Sequence, residues 1–351
     1  MFFNSHHLYK HESIYLNDLH GYVLPHAGTE FSGNIISHTL RFKPTKHFNK
    51  VYIIYLPSHD KPNASYKNNK YYHEYLVPWK SFDFIFSHKN VEYIPINILE
   101  NPPNINYDKN SIYIVSADFS HFLTFDKAIK LENKAAKSMI FRNFDNNHYN
   151  KIVDHKLSFK YLYDVIPNNF FLQWIGRTRS PGHKGVGYLS FLVRENKFKD
   201  PSGIFVTVYD KDMNAKECLG EWFDKHKKWS SNIEHNLINK VIRLGKQGRL
   251  TGGHKLNIPL TNYTVTYLYK KKTKNFIRGW HGILKNSFYL PDVFLENTHS
   301  NGDWINEDDK EWKKGKFSLT ETFNKLNDKS GINDKSKNYT LFESKVFHYK
   351  I

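Results

Sequence analysis

Three short apolar runs each end on residues able to hold a metal or move a proton. "GYVLP" (Gly21 to Pro25) leads into His26, "VYIIYLP" (Val51 to Pro57) into His59, and "SIYIVSAD" (Ser111 to Asp118) closes on Asp118 with His121 just beyond it. Imidazole nitrogens bind first-row metals at about 2.0–2.1 Å. A nearby carboxylate fixes the imidazole tautomer by accepting a hydrogen bond from its other nitrogen. A donor set of this kind suits iron, with zinc and copper as alternatives. Taken alone, one histidine in a chain that holds 20 reads as a hydrogen-bonded loop residue. Three at equivalent strand ends favour a shared site.

Sharing requires elements that bring the runs side by side. The four runs "GYVLP", "VYIIYLP", "VEYIPINIL" (Val91 to Leu99) and "SIYIVSAD" are rich in β-branched and aromatic residues, as buried strands are. "SGNIISHTLRF" after the first and "DKAIKLENKAAKSMIFRNF" after the fourth carry apolar residues at helical spacing. Strands alternating with helices predict an α/β three-layer N-terminal domain, in which ligands gather in the crevice outside the carboxyl ends of the strands. "KFKDPSG" (Lys197 to Gly203) reads as a linker, so the expected domains are residues 1–199 and 200–351, the second smaller and α+β. The tail "NDKSGINDKSKNY" is expected to be a loop, and "YKKKTK" (Tyr269 to Lys274) a solvated turn.

Composition narrows the function classes. No apolar run approaches the roughly 20 residues of a membrane span, and the opening lacks a secretory pattern, so a cytoplasmic protein is expected, in host cytoplasm or virion should the source be a virus. The formal net charge of +17 could attract nucleic acid, but the lysines are scattered through a chain crowded with Asn, Ile, Tyr and Phe. A dedicated nucleic-acid reader carries a clustered footprint, so the expected partner is a small molecule or another protein. The single cysteine, Cys218, excludes an internal disulfide and a multi-cysteine zinc site.

"LPHAGTEFSG", "YLPSHD" and "VSADFSH" resemble, in order and spacing, the three signatures of the Memo family, which shares the fold of LigB-type extradiol dioxygenases. The resemblance covers about Gly21 to Asn196. It implies that His26 and His59 ligate a metal, with iron expected, and that Asp118 and His121 line the same pocket. Family members supply a cysteine as third ligand in a "CGR" segment. Here "WIGRTRSPGHKGVGYLSF" offers Ile175 or Pro181 in its place, neither a donor, and His183 is the candidate substitute.

"GIFVTVYDKDMNAKECLGEW" (Gly203 to Trp222) and "HGILKNSFYLPDV" (His281 to Val293) are similar to segments of the AMMECR family, with Cys218 at that family's cysteine. A Memo unit fused to an AMMECR unit is a known arrangement. Cys218 could act as a nucleophile with His281 as its base. A small residue packed in a turn is the alternative, because Glu217 opposes thiolate formation. The whole chain therefore reads as a metal-binding, iron-linked oxidoreductase, or else as a non-catalytic interaction protein with a vestigial pocket.

Overall fold

The computed structural model describes residues 2–57, 72–87, 90–144, 153, 156–181, 184–197, 199–224, 226–247, 259–273, 275–285, 287–296, 319–331 and 338–351. Among them lie seven α-helices and fourteen strands in three sheets, a mixed α/β protein. Two compact units divide the chain: Met1–Asn196 with Leu295–Trp312, and Lys197–Phe294 with Lys313–Ile351. The sequence reading has one crossing near Lys199; Leu295 and Glu296 group with the first unit.

In the first unit, strands β1 (Ile14–Leu16) and β3 (Phe42–Pro44) form a small parallel pair. The main sheet is built from β2 (Leu19–Leu24), β4 (Lys50–Tyr55), β5 (Glu92–Asn97), β6 (Ser111–Ser116), β7 (Phe170–Arg179) and β8 (Gly187–Glu195), in the order β5-β4-β6-β2-β8-β7. The first four positions run parallel; β8 pairs antiparallel with both β2 and β7. Every residue of β2 and of β6 is buried. That is the pattern of central strands covered on both faces, and it explains why these runs show no polar alternation.

Helices α1 (Thr29–Leu40) and α2 (His73–Phe86) cover one face, where Tyr22 meets Phe82 and Phe86 edge-on. On the other face α3 (Phe125–Ile140) and α4 (Lys156–Val165) bury Ala135, Met139, Phe159 and Leu162 against Val23, Ile54 and Val115. Alternate residues of one strand, Tyr22 and Val23, thus serve the two layers, as the two-residue side-chain period of a strand requires.

The second unit is one antiparallel sheet of β9 (Gly203–Asp210), β10 (Ala215–Trp222), β11 (Leu260–Lys270), β12 (His281–Lys285), β13 (Ser287–Tyr289) and β14 (Thr340–Lys350), ordered β10-β9-β11-β14-β12-β13. Helix α5 (Ser231–Lys246) starts at an N-cap, Ser230, whose side chain accepts a hydrogen bond from the Ile233 amide. It lays Leu237 and Val241 on Ile204, Val206, Val208 and Val265. The division between the units falls within α6 (Pro291–Glu296). One expectation is corrected here: Asn327 to Ser330, read as loop, forms the last turn of α7 (Leu319–Ser330), and residues 332–337 of that tail lie outside the described residues. "NDKS" has modest helix propensity of its own; α7 packs against β12 and β13, and that tertiary support carries the helix through it. No helix among the described residues is long and apolar enough to cross a membrane.

Candidate metal centre

Parallel pairing explains how two distant residues meet. Leu24 and Ser116 are register partners at the ends of β2 and β6, and the Ala117 amide donates to the Leu24 carbonyl at 2.9 Å. His26 and Asp118 each lie two residues beyond those partners and so leave the sheet at the same level. Asp118 Oδ1 accepts a hydrogen bond from the His26 amide at 3.0 Å, and its carboxylate also accepts from the Ala27 amide. Its Oδ2 stands 3.7 Å from His26 Nε2, an ion-pair separation and not a hydrogen bond. His26 Nδ1 lies 3.1 Å from Ser116 Oγ. The sequence suggested that Asp118 would hold an imidazole tautomer; in the structure it grips the backbone, and a serine hydroxyl faces the ring.

The remaining donors come from the first turn of α2. The His73 ring meets that of His26 edge-on, with centroids 5.3 Å apart, and carries Phe2 stacked on it at 4.7 Å. His73 Nδ1 is 3.3 Å from Glu74 Oε2, and the Glu74 side chain is fully buried. One ligand atom each from His26, His73 and Glu74 all lie within 4.8 Å of one another. Ligands about 2.1 Å from one ion stand roughly 3.0–3.4 Å apart at octahedral or tetrahedral angles. The widest separation these limits allow is therefore about 1.4–1.8 Å beyond that of a closed site. Two imidazoles and one carboxylate fit ferrous iron with positions left open, and also fit zinc. A buried carboxylate beside two imidazoles also calls for positive charge, from a protonated ring or a cation.

Burial pushes the Asp118 carboxyl up to about 6, against the opposing pull of the His26 amide, His121, the Ala27 amide and His73. Such a group exchanges a proton near neutral pH. Burial, reinforced by the charge of Asp118, likewise drives the Tyr188 hydroxyl upward, so it stays protonated.

The structure brings His26 and Asp118 together. His121 is close enough to act on Asp118 electrostatically, but its Nδ1 lies 3.1 Å from the Phe119 carbonyl oxygen, and it stands outside the close group of three. His59 and His183 lie outside the described residues. Of the two residues that the resemblance offers in place of a cysteine, Ile175 and Pro181, Ile175 is fully buried in β7, and neither offers a ligand atom.

Cys218 and His281 are not brought together. Cys218 is level with Thr207 and, through it, with Thr264 of β11, whereas His281 is level with Glu343 and hence Tyr269 of the same strand. At roughly 3.4 Å per residue, Thr264 and Tyr269 are about 17 Å apart along β11. His281 Nδ1 accepts a hydrogen bond from the Ile277 amide at 3.0 Å. Cys218 packs with Phe205, Leu268, Leu290 and Phe342, and its amide donates to Glu217 Oε1 at 3.0 Å. These are the surroundings of a packing residue.

His73 and Glu74 were missed in the sequence. The available signal is a His-Glu pair opening the apolar stretch "YLVPW", but an acidic residue in the first turn of a helix is ordinary, so the pair did not stand out. No protein-family model matches this chain, and no curated protein matches it.

Proposed function

We propose that the first unit binds one divalent first-row metal, iron in the first instance, through His26, His73 and Glu74, and serves as a metal-dependent oxidoreductase acting on a small molecule. The observation that carries this reading is the approach of three potential ligand atoms to within 4.8 Å, one of them from the His26 segment just beyond the carboxyl end of the parallel strand β2. The Memo-like order of "LPHAGTEFSG", "YLPSHD" and "VSADFSH" supports a metal at His26, with His59 in place of His73 and Glu74 as its partner. Bound iron or zinc would polarise a substrate oxygen, and iron would add one-electron chemistry. The chain contributes the rest. Asp118 stands beside His26 with a carboxyl that titrates near neutrality, placed to give or take a proton. Phe2 covers one face of His73 and limits water there.

Elemental analysis of the purified full chain tests the reading. Iron or zinc should be present at about one per chain and fall to background in a variant with both His26→Ala and His73→Ala. A folded wild-type protein that takes up neither metal when offered it would leave the interaction-protein reading in its place.

A further inference from the structure

The segment from Phe2 to Tyr9 lies along α1 and ends on a residue of the candidate metal centre. Its contacts fall at Thr29, Gly33 and Ser37, positions four apart that share one face of the helix. The Thr29 amide donates to the Phe2 carbonyl at 3.0 Å. The Asn4 amide donates to Thr29 Oγ1 at 2.8 Å, and that hydroxyl donates to the Asn4 carbonyl at 3.0 Å. Further along, the Tyr9 amide donates to Ser37 Oγ at 2.9 Å. Gly33 permits the close approach between them, because a Cβ there would collide with the His7 carbonyl oxygen.

Burial along the segment is uneven. Leu8 is buried, whereas every residue from Phe2 to His7 is exposed or half-buried. A stretch with so little buried apolar surface opens at low free-energy cost while the core stays folded. Three hydrogen bonds at Thr29, three residues beyond His26, tie its far end to α1. There the Phe2 ring stacks on that of His73, with centroids 4.7 Å apart and planes at 16°. The His73 side chain is 11% exposed while Phe2 is 44% exposed, so this one ring covers a face of His73 that solvent would otherwise reach.

We propose that Phe2 to His7 form a strap, latched at Thr29 and hinged at Leu8, which shuts the His73 side of the centre and lifts to admit a metal or ligand. Its consequence for metal exchange rests on His73 being a ligand, as in the proposed function. The strap itself is measured without metal.

The test uses the full chain after chelator treatment. The amides of Asn4 and Thr29 each report a latch bond, and they should exchange hydrogen well ahead of those in the middle of α1. Diethyl pyrocarbonate should label His73 slowly in wild type compared with His226, an exposed histidine of the second unit. Phe2→Ala and Thr29→Val should each speed labelling of His73 severalfold and leave His226 unchanged. Gly33→Ala is the sharpest variant. Helix propensity alone favours alanine, yet the added Cβ should displace the strap and unmask His73 with α1 intact by circular dichroism. Should that variant fail to fold, the other two decide. The inference is overturned by rapid labelling of His73 in wild type, by unchanged labelling in the Phe2 and Thr29 variants, or by Asn4 and Thr29 amides as slow as the helix interior. With iron or zinc loaded, the same variants should lose metal to chelator faster than wild type. His73 unmasked with metal loss unchanged would strike His73 from the ligand set and leave the strap standing.

Discussion

His26 and Asp118, separated by 92 residues, are tied by a hydrogen bond from the His26 amide to Asp118 Oδ1 at 3.0 Å, while their side chains approach only to 3.7 Å. The carboxylate therefore fixes where the histidine leaves the sheet, and the His26 ring meets that of His73 edge-on.

Glu74→Gln should separate metal binding from folding. The substitution keeps the shape of a fully buried side chain and removes its charge. We expect metal retention to fall at least about tenfold. The metal-free protein should melt no lower than wild type, because a desolvated carboxylate has been neutralised. Equal metal content in the variant, measured by elemental analysis, would remove Glu74 from the ligand set.

Stability should depend on pH through Asp118 in the direction opposite to that of a salt-bridged carboxylate. Burial is the main cause that raises its folded value to about 6 from the ordinary 3.8. Between those values the folded state holds more protons than the unfolded one, so this group's contribution falls as pH rises through the window. The cost of the buried charge is fully present above about pH 6 and absent below about pH 4. In chelator, Asp118→Asn should melt higher than wild type at pH 7.5, and the difference should close by pH 4. A gap independent of pH would show that Asp118 is ionised throughout.

Gly187→Ala should be severely destabilising. A Cβ at Gly187 would lie 1.9 Å from Glu132 Oε1 and 2.8 Å from Ser120 Oγ, inside the buried cluster that includes Arg177. The clash forces Glu132 off its partners, and disruption of a buried ion pair costs about 3–5 kcal/mol. Urea unfolding provides the measure; a loss below about 1 kcal/mol would mean that the cluster relaxes freely.

Cys218 should react slowly with alkylating reagents at neutral pH, at a rate that His281→Ala does not change. Its packing against Phe205, Leu268 and Phe342 disfavours the thiolate, and the strand register keeps His281 away. Rapid labelling that depends on His281 would restore the nucleophile reading.

Local composition determined the central sheet-forming runs, because strands covered on both faces are rich in β-branched and aromatic residues. "VYIIY" and "SIYIVS" could therefore be read as β4 and β6, and His26 and Asp118 as residues at strand exits. What the sequence could not determine was which exits would meet. That depends on the order β4-β6-β2, on the Leu24–Ser116 register, and on an α2 that starts where its first turn delivers His73 and Glu74 to His26. The same holds in the second unit, where two motifs that suggested a Cys218–His281 pair are separated by a register fixed across β9, β11 and β14. Strand propensity is set by neighbours in sequence, whereas convergence and desolvation are set by long-range pairing, and that pairing exists only once the sheet has formed.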